Sequence, residues 1–307
     1  MPEWLIERGI GESRCALVED GEIVEARIEL DGQMRAGTVI AARLKQTSKP
    51  AIAIVGNVEF LLPRGAPGVS EGGTLNIEIT REQIPGGEPW KRPLARATDE
   101  PVRDAPSVGS VAGDLSAAGW DDLIEQARGG VVQFAGGELR ISPTPAMTLI
   151  DVDGFLPPDE LAVLGAAEAA KAIRRLDIGG SIGIDLPTAG SKAARQAAAA
   201  AIDEHLPQPF ERTAVNGFGF VQIVRPRLRA SLVELAQDRA TFEARALLRR
   251  AAFEAAGAKR LAAHPAVIAV LDTKPDWRDA LARQLGGAIS LRADASLAMS
   301  GGYAEHP

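Results

Sequence analysis

The chain has 307 residues, 46% of them hydrophobic and 24% charged, which suits a buried core in one large or two ordinary domains. Its single cysteine, Cys15, excludes a disulfide framework and any zinc site built from cysteine pairs within one chain, and points to a reducing cytoplasm. A net charge of −7 argues against a non-specific polycation for DNA, no apolar run reaches the roughly 18 residues that a membrane span needs, and the start Met1-Pro-Glu-Trp4, without a basic or long apolar stretch, leads us to expect no signal peptide.

Strands are expected first at Trp4–Ile6, Arg14–Val18 and Glu22–Ile28, the last two flanking the turn signal Glu19-Asp-Gly21. Short strands continue at Thr38–Leu44, Ala51–Val55, Val58–Leu62 and Thr74–Thr80, a pattern that predicts a small barrel ending near Ile84-Pro-Gly-Gly-Glu-Pro. Residues 85–117 are rich in Pro, Gly, Ser and Asp and read as linker. A short helix is expected over Asp121–Arg128, then a hairpin of Val131–Phe134 and Glu138–Ser142. The strand Thr148–Val152, the Ala-rich helix Pro157–Leu176, the strand Ser181–Leu186 and the helix Ser191–His205 follow. Glu211–Val215 and Phe218–Val224 pair around Asn216-Gly217. The tail predicts one long helix over Ser231–Gly257, a strand over Ala266–Leu271, a helix over Pro275–Gly286 and a strand over Ala288–Arg292.

Asp151 and Asp153 end the strand Thr148-Leu-Ile-Asp-Val-Asp-Gly154, and alternation puts both carboxylates on one face. Asp185 ends the strand Ser181-Ile-Gly-Ile-Asp-Leu186. Ligands gather at the carboxyl ends of strands in open α/β sheets. Clustered carboxylates favour a bound cation, and hard oxygen donors suit Mg²⁺ or Mn²⁺, the setting for metal-assisted attack of water on a phosphodiester. Strand-end aspartates also cap helices and turns, which is the alternative. Asp151-Val-Asp153 by itself also fits a nucleotide-sugar transferase metal motif, and no phosphate loop is present in its proper order. His205, His264 and His306 read as surface or capping residues, and Cys15 as a small core hydrophobe. Arg225, Arg227 and Arg229 follow Phe218 and Phe220, a basic cluster beside aromatics suited either to nucleic-acid backbone and bases or to a solvated turn over a core. Phe60 is a candidate stacking residue on the barrel, with a core position as its alternative.

At these residues the chain resembles the ribonuclease E/G family of bacterial endoribonucleases. The segments Gly136 to Gly154 and Leu176 to Asp185 are similar to those carrying the family's two catalytic aspartates. The run Phe218 to Leu232, the opening Ser13 to Glu25, the barrel pieces Gly37-Thr-Val39, Phe60 to Pro63 and Leu75 to Arg81, and the tail from Gly287 to Tyr303 resemble further parts of it. The resemblance implies an α/β fold of mixed α+β character: an RNase H-like core split over residues 1–36 and 118–235, an OB-fold RNA-binding insert at 37–84, the linker 85–117, and a small α/β domain at 236–307. It implies a cytoplasmic, Mg²⁺-dependent endoribonuclease in RNA processing that hydrolyses single-stranded RNA to 5′-phosphate products. Asp151, Asp185 and Asp153 would be the catalytic and metal-binding residues, and Phe60, Phe218, Arg225, Arg227 and Arg229 would contact RNA.

The chain departs from the family pattern at several points. Asp153 stands where the family usually has asparagine, the subdomain that senses a 5′ end is replaced by residues 85–117, and Arg96-Ala-Thr98 is a poor match to its phosphate pocket. Cysteines for a zinc shared between subunits are missing, so no zinc-linked dimer is expected and the oligomeric state is open. These departures admit an alternative, an RNA-binding relative with weakened or lost cleavage. DNA is not an expected partner.

Overall fold

The computed structural model describes residues 2–85, 91–108 and 111–307, so part of the expected barrel end and linker lies outside the described residues. β1 (Glu3–Arg8), β2 (Glu12–Glu19) and β3 (Glu22–Leu30) form an antiparallel meander, with the expected hairpin turn between β2 and β3. β4 (Val39–Gln46), β5 (Ala51–Val55), β6 (Val58–Leu62), β7 (Thr74–Arg81) and β8 (Leu94–Thr98) close into a barrel in the order β4-β5-β6-β8-β7. The barrel thus runs past residue 84, because β8, inside the stretch read as linker, pairs with β7 and closes it. Its interior holds Leu44, Phe60, Leu62, Ile77 and Ile79.

β9 (Val111–Ala112) then returns to the first sheet, parallel to β1. After α1 (Trp120–Gly129) comes the larger sheet: β10 (Val131–Phe134), β11 (Gly137–Pro143), β12 (Thr148–Gly154), α2 (Pro158–Arg175), β13 (Gly180–Asp185), α3 (Lys192–His205), β14 (Glu211–Arg212) and β15 (Phe220–Arg225). Its strand order is β10-β11-β12-β13-β15-β14, with β12 and β13 parallel and every other pair antiparallel. A parallel pair needs a long crossover, and α2 supplies it. Helix α2 lies between the two sheets, packed on β3 on one side and on β11 and β12 on the other. Its buried residues are largely alanines, whose small side chains let both sheets approach the helix closely.

The tail holds α4 (Leu232–Leu235), α5 (Arg239–Ala252), β16 (Lys259–Ala263), α6 (Pro265–Asp272), α7 (Pro275–Leu285), β17 (Ile289–Ala293) and β18 (Tyr303–Glu305), with sheet order β17-β16-β18. Two expectations change here. The single helix over Ser231–Gly257 is broken, because Ser231 builds a capping box on α4 and Asp238 caps a new start at α5. The apolar run Ala266–Leu271 is helical, not extended: Pro265 fits the first turn and His264 Nδ1 accepts from the Ala266 amide at 3.2 Å. A short apolar run carries no period that separates strand from buried helix. No helix among the described residues is long and apolar enough to cross a membrane.

A buried charge network joins the first sheet, α1 and α5. Arg249 grips Glu7 with two bonds of 2.8 and 3.0 Å and also donates to Asp121 at 2.9 Å and Ser116 at 2.7 Å. Arg245 pairs with Glu12 at 2.6 Å, and Arg128 donates to Glu243 at 2.9 Å. Removing one partner from such a network strands the other charge in a water-poor setting. Arg249→Ala should therefore lower unfolding free energy by about 3 kcal/mol in urea denaturation, with little change in slope; a loss below about 1 kcal/mol would show that water replaces the lost partner.

Candidate functional site

The larger sheet has one face packed on α2, against which α3 lies, and the other face open. Along β12 the burial alternates: Thr148, Ile150 and Val152 point to the core, while Leu149, Asp151 and Asp153 point outward. On β13, Ile182 and Ile184 are buried and Asp185 is exposed at the strand end. The parallel register sets Asp151 directly beside Asp185. Strands in a sheet lie about 4.8 Å apart, so the two carboxylates are near neighbours. The row continues to Arg140 on β11 and Phe220 on β15, and Glu138 on β11 lies opposite Asp153.

Partial burial, then the negative charges of Asp153 and Asp185, push the Asp151 carboxyl above its ordinary value. Arg140 opposes this, although it also donates to Glu138 at 2.8 Å. The register sets Asp151 and Asp185 side by side, and the third expected aspartate, Asp153, shares their open face and acts on Asp151 through its charge. Asp153 stands two residues further along β12, about 7 Å at strand rise. Among the described residues no three His, Cys, Asp or Glu side chains gather so as to hold a metal ion. The donor set is a pair of carboxylates. That pair fits Mg²⁺, which keeps several waters and uses one or two carboxylates together with substrate phosphates, and does not fit a cation that needs an all-protein cage.

Both helices behind the sheet begin at this edge, one after each aspartate-bearing strand. Asp159 in the first turn of α2 accepts from the Gly190 amide at 2.8 Å and from Ser191 Oγ at 3.0 Å, and Ser191 caps α3. This clasp fixes the loop that leaves Asp185. Asn216 closes the other side: its Oδ1 accepts from the amides of Phe218 at 2.8 Å and Phe220 at 3.1 Å. Gly219, at φ +91°, lets that loop approach so closely that an added Cβ would sit 2.1 Å from the Leu186 carbonyl oxygen. The Phe220 ring crosses the sheet above Gly183, where a Cβ would meet it at 2.6 Å, and Leu149 lies beside it.

The residues expected to contact RNA do not form one surface. Phe60 is 1% exposed inside the barrel, so it is a core residue and no stacking platform. Phe218 is 82% exposed and belongs to the aspartate edge. Arg225, Arg227 and Arg229 lie at the other end of β15, beside the start of β13, roughly 16 Å from Asp185 along the strand. Arg225 donates to the Ile178 carbonyl at 3.3 Å, Arg227 pairs with Glu234, and the largely buried Arg229 bonds Asp177 at 2.9 Å. These arginines tie the sheet to its neighbouring loops, and the expected grouping with Phe218 is divided by the length of a strand. Phe155, 84% exposed just after β12, was hidden in the sequence because nothing there tells an exposed phenylalanine from a buried one. Arg96 is committed to Glu78 across the barrel strands, and Cys15 is a buried thiol that burial pushes up.

No protein-family model matches the chain, and no curated protein matches it.

The raised Asp151 carboxyl has a consequence for stability. Its charged form is disfavoured in the folded state, so ionisation costs stability above its folded pKa and the cost disappears as pH falls through that value. Asp151→Asn should raise the melting temperature of the metal-free protein by on the order of 1–2 °C at neutral pH and leave it unchanged near pH 3. A lower melting temperature at neutral pH would mean that the carboxylate is a structural cap.

Proposed function

We propose that the protein is a divalent-cation-dependent endoribonuclease that hydrolyses single-stranded RNA to 5′-phosphate products. The observation that carries this reading is the in-register pair Asp151 and Asp185 at the open carboxyl edge of a mixed sheet. The similarity of the segments around both residues to the ribonuclease E/G family supports it. In this reading the two carboxylates hold Mg²⁺, or Mn²⁺ in its place. When bound, the ion supplies charge neutralisation at the scissile phosphate and an activated water. Asp151 and Asp185 would be the residues that hold the ion, and the Asp159 clasp keeps the loop beyond Asp185 in place. The closed five-stranded barrel takes the part of an RNA-binding OB fold, and the description of the core as RNase H-like belongs to the same reading.

Among the described residues no third acid gathers with the pair into a metal-holding group, which favours a second reading, an RNA-binding relative with weakened or lost cleavage. Asp153, an acid where the family usually has asparagine, adds its charge beside Asp151 on the same face.

A fluorogenic single-stranded RNA, assayed with and without Mg²⁺, separates the two. Wild type should cleave only with the ion. Asp151→Asn and Asp185→Asn should each reduce cleavage by on the order of 100-fold or more, the scale of losing a main electrostatic stabiliser. Asp153→Asn should keep or raise activity. Cleavage by the Asp151→Asn, Asp185→Asn double variant at the wild-type rate would move the active site elsewhere, and absence of cleavage in wild type would favour the binding protein.

A further inference from the structure

The two most exposed large hydrophobic side chains among the described residues, Phe155 at 84% and Phe218 at 82%, stand at the same edge of the same sheet. Phe155 is the first residue after β12, and Phe218 lies two residues before β15. Because β15 runs antiparallel to β13, its start lies beside the end of β13, next to Asp185. The two phenylalanines therefore leave from strands on either side of β13, about 10 Å apart across the sheet and about 7 Å apart along it, Phe155 four residues beyond Asp151 and Phe218 two residues beyond the row of Phe220. Each ring is presented by a fixed backbone. The Phe155 amide donates to the Gly136 carbonyl at 3.1 Å. The Phe218 amide is held by Asn216, and its carbonyl accepts from Thr188 Oγ1 at 3.3 Å. Holding a bare aromatic ring in water on a rigid loop is unfavourable unless a partner covers it.

We propose that Phe155 and Phe218 form an aromatic clamp that stacks the unpaired bases on either side of the phosphodiester positioned at Asp151 and Asp185. The inference rests on the RNA-cleaving reading of that edge and adds how the substrate is gripped there. A nucleic acid strand is favoured as the occupant by what lies beyond Phe218. A groove of about 520 Å³ opens between α3 and the loop that includes Gly217, with Lys192, Arg195 and Arg212 in its lining. Arg212 is paired with Asp203 and Arg195 donates to the Ala189 carbonyl, which leaves Lys192 as the cation best placed to meet a phosphate. Stacking uses the π-face that every base has, so the clamp reads strandedness and not sequence. Paired bases, already stacked on their neighbours, cannot enter it.

The test is equilibrium binding of a fluorescent oligouridylate of about 12 nucleotides to the full chain, in the Asp185→Asn background so that turnover is suppressed. Phe155→Ala and Phe218→Ala should each weaken binding by on the order of tenfold, and Phe218→Trp should restore it. On an abasic oligonucleotide of the same length, each alanine variant should bind as its parent does. The clamp is overturned if the alanine variants hold oligouridylate as tightly as the parent, if they lose the abasic strand equally, or if the parent binds neither strand. It is also overturned if the rings prove to be covered by a second copy, seen as a halved mass in sedimentation when either ring is removed. Mg²⁺-dependent cleavage by the wild-type chain is measured separately. If it persists while oligouridylate binding ignores both rings, the clamp fails and the cleavage reading stands; if it is absent, the cleavage reading fails.

Discussion

β12 and β13 run side by side in the same direction, and parallel neighbours need a crossover long enough to return the chain to the starting end of the sheet. Everything at the acidic edge depends on that pairing. It sets Asp151 and Asp185 in one row, and period-two alternation turns both toward the open face while Ile150, Val152, Ile182 and Ile184 fill the core. A slip of one residue in register would bury one carboxylate and leave the other alone. The register is therefore held by the apolar residues between the acids: moving an acid inward costs far more than a packing defect.

The crossover helix has a second task. Lying between the two sheets, α2 needs two close faces, and its alanines provide them at the expense of large side-chain burial. Part of the missing cohesion comes from ion pairs. Arg249, Arg245 and Arg128 each meet an acid in the region where α1, α5 and the first sheet join. Removing one member of such a pair strands the other charge, so each side chain holds its partner in place. The same division appears at the opposite end of the larger sheet, where Arg227 and Arg229 are spent on Glu234 and Asp177.

The sequence made the acidic edge legible because strand alternation and strand-end position follow directly from residue order. Thr148 to Asp153 alternates cleanly, and no tertiary knowledge is needed to place its two acids on one face. Whether a third acid converges is a matter of distances between elements, which no local pattern contains. The same limit explains Phe60, Phe155 and the three arginines: their types suggest contact with a ligand, but burial and partners decide it, and those are long-range. The strand Leu94–Thr98 escaped because it sits among prolines and glycines and is stabilised by pairing with a strand well upstream. Ala266–Leu271 went the other way, its helix dictated by Pro265 and the His264 cap and not by the apolar run itself.

The account turns on whether the paired carboxylates take a divalent cation. Electron paramagnetic resonance of Mn²⁺ titrated into the protein, with a single-stranded oligonucleotide present to supply phosphate oxygens, reads this directly. The expected result is one bound Mn²⁺ per chain in the wild type, lost when Asp151 and Asp185 are both changed to asparagine and kept when Asp153 alone is changed. Equal Mn²⁺ binding by the wild type and that double variant, or binding that disappears only with Asp153→Asn, would contradict it.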